Sequence, residues 1–377
     1  MKRNTWVIVG LGFAVVALIV GVRVFRKSGP EVHKIGAIVF LTGPQAPLGT
    51  EVKNALTVGV DEINEKGGIK GKRVEVLYED SKDSPRDAIL AFSRLETEKV
   101  PVMICTGDVV SLNLAPTVEE KRIPTIATVA AGPDISKKSD WVFRVFIQAS
   151  RQASTMAEYS SKTLGLTSAA ILAINNEFGT TTTETFKNVF ERNGGRITKS
   201  ETFDVADRDV RAQITKLKGT NPQAIYVSGF GDGYGAAVKQ VRELGFAGQL
   251  LSDATLSIPY FLQQTSPANE GAYFTSTMYD EGSKAPLAAN FIRRYKEKFG
   301  SEPGFVGAFA YDAFRLIANA IEIAGDNPQG IKDALMSTRD FQGVVGKVSF
   351  ANGNDLDFPL VIKRMEKGKA VIVWGGE

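Results

Sequence analysis

From about residue 30 onward the chain alternates between short β-branched runs and longer stretches whose apolar positions recur at helical spacing. Lys34–Phe40 (KIGAIVF) reads as a buried strand. Gly49–Glu65 reads as an amphipathic helix, with Val52, Ala55, Leu56, Gly59, Val60 and Ile63 on one face. Glycines at 67, 68 and 71 stop it. Strands are predicted at Val74–Tyr78, Val100–Cys105 and Pro124–Thr128, with helices at Pro85–Glu98 and Ser111–Glu120 between them. This βαβαβαβ series implies a parallel sheet covered by helices on both faces. The series then restarts. Helices at Ala153–Thr163, Thr180–Asn193, Val210–Lys218 and Tyr234–Leu244 separate strands at Ser168–Ile174, Arg196–Phe203, Ala224–Ser228 and Gln249–Leu251. Helices follow at Leu287–Phe299, Phe305–Ala324 and Gln329–Met336, then antiparallel-looking strands at Val344–Phe350 and Phe358–Val373. Two similar α/β units thus lie in tandem, and their strand ends can face each other across a crevice, where ligands of α/β folds usually bind.

The first thirty residues follow a different pattern. Val7–Val22 is uninterrupted apolar sequence, with Lys2 and Arg3 before it and Arg23, Arg26 and Lys27 after it. The expectation is an uncleaved signal-anchor helix over residues 7–25, holding an extracytoplasmic protein at a membrane; a cleaved signal peptide is the competing reading. Gly10-Leu11-Gly12 follows no strand and lacks the third glycine of a dinucleotide loop.

Composition then narrows the chemistry. The 377 residues hold one histidine, His33, and one cysteine, Cys105. A zinc site of several His or Cys ligands is excluded, as is a disulfide framework. A Ser/His/Asp triad would have to use His33, a poor candidate next to the leader. No metal and no cofactor are expected. The net charge of +3 comes from the leader, because the remaining residues carry 40 basic against 42 acidic side chains. The basic pI is therefore no sign of nucleic-acid binding. Gly229–Gly235 (GFGDGYG) lacks the Lys-Ser/Thr of a triphosphate loop, and Asp204–Asp209 lacks the glycine turn and final glutamate of a calcium loop. Cys105 reads as a small buried hydrophobe.

Asp61-x-Ile63-Asn64-x-x-Gly67-Gly68-Ile69-x-Gly71, a strand and then Asp80 resemble the periplasmic solute-binding proteins of the leucine/isoleucine/valine type. Leu41-Thr42-Gly43-Pro44, Glu119–Pro124 (EEKRIP), Phe178-Gly179, Tyr311-Asp312-Ala313 and Phe341-x-Gly343-x-x-Gly346-x-Val348-x-Phe350 match in family order. The resemblance implies an α/β fold of two Rossmann-like doubly wound lobes joined by three crossovers. It places residues 34–148 and 278–342 in lobe one, 149–277 and 343–377 in lobe two, and 1–30 in the leader. It implies closure around a small molecule without chemical change, and delivery to the permease subunits of an ABC importer. A ligand-sensing receptor module is the alternative, and an enzyme on the same scaffold a third; the end of the chain at Gly375-Gly376-Glu377 favours transport over sensing.

Carried over residue by residue, the resemblance places Leu48, Thr106, Gly107, Asp108, Val109, Thr128, Val129, Ala131, Phe178, Phe230, Asp253 and Ala254 at the ligand. Asp108 stands where the amino-acid binders have a serine, and an aspartate there repels a ligand carboxylate. It is expected either to cap the next helix or to accept from a ligand N–H or cation. Thr128 keeps a hydroxyl, and Ala131 replaces a threonine. Phe178 and Phe230 keep the aromatic wall of two tyrosines without the hydroxyls. Ala254 replaces the acid that answers an ammonium, and Asp253 is its possible substitute. Such a pocket suits a ligand with an apolar or aromatic body and N–H or hydroxyl groups, rather than a plain branched-chain amino acid.

Overall fold

The structure is a computed structural model that describes residues 32–280, 282–351 and 353–375. The expected anchor over residues 7–25 lies outside them. Among the described residues no helix is long and apolar enough to cross a membrane.

Lobe one is built on a five-stranded parallel sheet of order β2-β1-β3-β4-β5. Its strands are β1 (Val32–Val39), β2 (Arg73–Asp80), β3 (Met103–Thr106), β4 (Thr125–Thr128) and β5 (Val142–Arg144). Helices α1 (Ala46–Glu65), α2 (Pro85–Thr97) and α3 (Asp108–Lys121) connect the first four. The three-residue β5 was not foreseen, because so short a segment carries no readable periodicity.

Lobe two holds α4 (Ala149–Glu158), β6 (Ser168–Ile174), α5 (Glu177–Arg192), β7 (Arg196–Phe203), α6 (Arg211–Lys218), β8 (Ala224–Ser228), α7 (Gly231–Glu243) and β9 (Gln249–Ser252). The short helix α8 (Pro259–Thr265) and β10 (Tyr273–Thr277) follow. The chain then returns to lobe one for α9 (Pro286–Phe299), α10 (Phe305–Ala324), α11 (Pro328–Met336) and the small antiparallel hairpin of β11 (Phe341–Gly343) and β12 (Gly346–Val348). It ends in β13 (Leu360–Glu366) and β14 (Lys369–Trp374), which add antiparallel strands to the second sheet, of order β14-β13-β10-β9-β8-β6-β7. The chain thus passes between lobes three times: after β5, after β10 and before β13.

The third passage differs from the expected boundary at 342/343. Residues 343–350 and 354–356 still bond to lobe one. The N–H groups of Val344 and Val345 donate to the carboxylate of Asp312, at 2.9 and 3.0 Å. Phe350 packs edge-on against Phe143. These contacts account for two of the sequence motifs as scaffold. Asp312 of the Tyr-Asp-Ala motif is fully buried, and Gly343 lies so close that a β-carbon there would stand 2.4 Å from Asp312 Oδ2.

The motif at the end of α1 is likewise structural. The Asn64 side chain accepts from the Val74 N–H and donates to the Val74 carbonyl, at 2.8 and 2.9 Å. This sets β2 in register beside the helix. At the far end of β2, Asp80 accepts from the Leu41 N–H, the Thr42 hydroxyl and the Lys82 N–H. Burial pushes this carboxyl up, and those hydrogen bonds more than offset it, leaving its pKa below the ordinary value. Asp80 so joins the loops after the first two strands at the cleft edge.

The internal repeat is visible in packing. Gly49 in α1 and Gly179 in α5 each press on the end of the strand before them. A β-carbon would stand 1.9 Å from the Phe40 carbonyl oxygen in the first case and 1.8 Å from that of Ile174 in the second. Both helices therefore start tight against their sheets, and their first turns sit at the crevice. The core is continuous across the crossovers, where Phe146 stacks on Phe305 and lies tilted against Phe309, with ring centroids 5.7 and 5.3 Å apart. Helix α10 is apolar on almost every side and buried for most of its length, as a central helix must be.

Candidate functional site

On the first lobe the crevice is formed by the ends of β3 and β4. Gly107 precedes α3 with φ of +92°, a conformation that favours glycine, and its N–H donates to the Thr128 carbonyl at 3.0 Å. The two loops are thereby joined. Asp108 opens α3 and is half-buried. Its Oδ1 accepts from the Gly132 N–H at 2.9 Å. The cap expectation therefore takes a different form: the carboxylate ties the β4 loop to the helix start. Burial pushes the Asp108 carboxyl above the ordinary aspartate value. Backbone bonds from Gly132 and Ala131 and the charge of Arg144 pull it down, while Glu177 of the opposite lobe pushes it up.

Val129 has φ of +52°. A β-branched residue in the left-handed region is a genuine outlier, of the kind that clusters at ligand clamps. No periodicity or motif announces it. Val109, in the first turn of α3, is 40% exposed. Ala131 is buried, and its carbonyl accepts from the Ala149 N–H at 2.9 Å. Leu48 is half-buried in α1 and packs against the core from the cleft side.

Two predicted hydroxyls have different fates. The Thr106 side chain is fully buried and donates to the Ile38 carbonyl at 3.3 Å, so it serves the sheet. The Thr128 hydroxyl is fully buried with no hydrogen-bond partner in the protein. An orphaned buried hydroxyl beside a cleft is expensive unless something satisfies it.

On the second lobe, Phe178 and Phe230 face each other edge to face, with ring centroids 6.0 Å apart. Each stands where a strand gives way to a helix: Asn176 caps α5 by accepting from Gly179 N–H, and Phe230 immediately precedes α7. They form one aromatic surface. Asp253 does not join it. It is fully buried, and its carboxylate accepts from the Ser228 hydroxyl at 2.8 Å and from the N–H groups of Gly229 and Thr255, each at 2.9 Å. Burial raises this carboxyl to about 6 against those bonds. Asp253 is thus a brace behind the wall that holds the Gly229-Phe230 turn, and its oxygens are already engaged within the lobe. Ala254 is buried, and its N–H donates to Gln152 Oε1 at 2.9 Å.

Glu177 was missed by the sequence reading, although it adjoins Phe178. It belongs to lobe two, and its charge is the least of the influences on the Asp108 carboxyl, pushing it up against the pull of Arg144. Asp83, near the Gly107 turn, is a second missed carboxylate, and burial pushes its pKa up. Among the described residues no group of His, Cys, Asp and Glu is arranged to hold a metal. Two surface hollows, one beside Arg242 and Pro267 and one beside Tyr311 and Arg315, are lined by none of the crevice residues above.

This architecture has close parallels. A family model described as periplasmic binding protein matches residues 33–370. The Leu/Ile/Val-binding protein homolog 3 of Brucella melitensis is 26% identical over 344 residues, covering 89% of this chain and 92% of the relative. The crystal structure of the leucine-binding protein LivK of Thermotoga maritima superposes with a TM-score of 0.82 at 28% identity, covering 91% of this chain and 98% of the other. LivJ of Streptococcus pneumoniae, a branched-chain amino acid transporter substrate-binding protein solved with isoleucine, gives 0.83 at 28% identity, covering 91% and 100%. With its two lobes, three crossovers and a cleft built at the strand ends, the chain belongs to the periplasmic binding protein family and is an extracytoplasmic solute-binding protein.

Proposed function

We propose that this protein captures a small solute bearing an apolar or aromatic body and a cationic or N–H-rich end. It releases the solute unaltered to the permease subunits of an ABC importer, with the leader as its tether at the membrane. The observation that carries the ligand class is Asp108, a half-buried carboxylate in the first turn of α3 that is tied to the β4 loop through the Gly132 N–H. Enclosing a carboxylate as the lobes close is unfavourable in a desolvated gap. A cation or strong N–H donor beside it offsets that cost and draws the lobes together. The Phe178–Phe230 surface supports an apolar or aromatic body beside that charge. The Thr128 hydroxyl supports one further polar contact.

The same arrangement disfavours a ligand carboxylate at the start of α3, where Asp108 already presents negative charge. A thermal-shift and calorimetric panel tests the reading with L-leucine, L-isoleucine, 4-hydroxybenzoate, phenethylamine and agmatine. At 100-fold excess over the dissociation constant a true ligand adds ~2.7 kcal/mol of stability. The expected result is stabilisation by an amine and little by 4-hydroxybenzoate. Strong stabilisation by leucine or isoleucine, with none by the amines, overturns the ligand class. Chemical conversion of any bound compound during incubation overturns the binding-only role.

A further inference from the structure

Arg144 ends β5 and is, at 1% exposure, the bulkiest of the fully buried side chains among the described residues. Its guanidinium spans segments far apart in sequence. Nη1 donates to the carbonyl of Gly132, in the loop after β4. Nε and Nη2 each lie 2.8 Å from Oδ1 of Asp355, where the chain leaves lobe one for the third crossover. The other Asp355 oxygen accepts from Gln148 Nε2 at 2.9 Å, and Gln148 lies in the first crossover, immediately before α4. The main chain repeats the connection: the Arg144 N–H donates to Asn354 at 2.7 Å, and the Arg144 carbonyl accepts from Leu356 at 2.9 Å. Two of the three hinge segments are thus bound to each other around one side chain.

The same side chain reaches the ligand loop. Gly132 is held on both sides, its N–H by Asp108 and its carbonyl by Arg144. In the peptide that carries that N–H, the Ala131 carbonyl is held by the N–H of Ala149, the first residue of α4. Between these ties and the Gly107–Thr128 bond sits Val129 at φ of +52°. Such a backbone persists only where its surroundings over-determine it. The surroundings here are hinge residues on one side and Asp108 on the other.

We infer that Arg144 is a positioning residue that makes the ligand loop and the hinge one mechanical unit, so that the setting of the lobes and the setting of the Val129–Gly132 loop change together. A planar guanidinium can bond Gly132 and Asp355 at once; a lysine ammonium is a point donor and cannot hold that geometry. The inference rests on lobe closure, a property of the family, and is independent of the ligand class proposed above.

The test uses ligand-free protein, refolded from denaturant to strip any co-purified solute. Spin labels are placed at Glu120→Cys in lobe one and Lys187→Cys in lobe two, both exposed sites on helices, while Cys105 is buried. The interlobe distance distribution and hydrogen exchange over residues 129–135 are measured in the parent, R144K, D355N and Q148A. R144K and D355N are expected to broaden the distance distribution and to speed exchange at the Gly132 amide about tenfold or more, with exchange in β6 unchanged. Q148A, which removes one tie only, is expected to lie between them and the parent. Faster exchange at Gly132 with an unaltered distance distribution gives Arg144 a purely local role and overturns the inference, as does no change in either. Should R144K fail to fold, D355N and Q148A decide by the same criteria, because both leave the guanidinium in place.

Discussion

Asp253→Asn isolates one buried carboxylate whose protonation the structure makes visible in stability. Asp253 is fully enclosed and accepts three hydrogen bonds, yet burial dominates and lifts its pKa from 3.8 to about 6. A folded-state value above the unfolded one means that the group's contribution is fully present below about pH 4 and is lost as the pH rises through about 6. The whole difference is worth about 3 kcal/mol, of which roughly 1 kcal/mol appears between pH 7 and pH 5. Asp312, also fully enclosed and raised to about 6, adds a similar gain over the same interval. Carboxylates whose pKa is lowered, such as Asp80 and Glu62, lose their contributions only at more acid pH. Urea unfolding at pH 5, 6 and 7 should therefore show the parent gaining more stability on acidification than D253N, by roughly 1 kcal/mol. At a single pH the substitution combines two opposing effects. It removes a buried charge, and it turns an amide NH2 toward the N–H of Thr255 or of Gly229, costing about 1–3 kcal/mol. The slope between pH 5 and pH 7 separates them. If D253N gains as much on acidification as the parent, Asp253 does not take up a proton there and the account of its burial is wrong.

Phe230→Ala removes half of the aromatic surface and should weaken binding of whichever panel compound stabilises the parent by about tenfold, equivalent to about 1.4 kcal/mol, by calorimetry. Unchanged affinity would place the ligand elsewhere in the cleft. Gly59→Ala puts a β-carbon 2.4 Å from the ring of Phe314, where α1 crosses α10. The overpacking should cost about 1–3 kcal/mol in urea unfolding despite the better helix propensity of alanine, and a more stable variant would contradict the close approach.

Much of the fold was legible because apolar periodicity is a local property. Strands and helices of both lobes follow from which residues recur at spacings of two or of three to four. The family motifs were legible too, although the structure gives several of them to scaffolding: Asn64 pairs with Val74, Asp312 holds Val344 and Val345, and Gly343 makes room for that carboxylate. Phe178 and Phe230 were found by position and meet as an aromatic pair. The sequence by itself therefore determined the alternation of elements and the two-lobed family architecture. Only the tertiary structure decided how the polar groups at the cleft are used. It turned Asp253 inward as a brace, engaged Thr106 with Ile38, left the Thr128 hydroxyl without a partner, and tied Asp108 to Gly132. It also brought Arg144 to Asp355 across 211 positions of chain. The physical reason is that a hydrogen bond or a charge interaction depends on a few ångströms of separation. Where distant segments meet is set by the crossovers and sheet order, which no local spacing encodes.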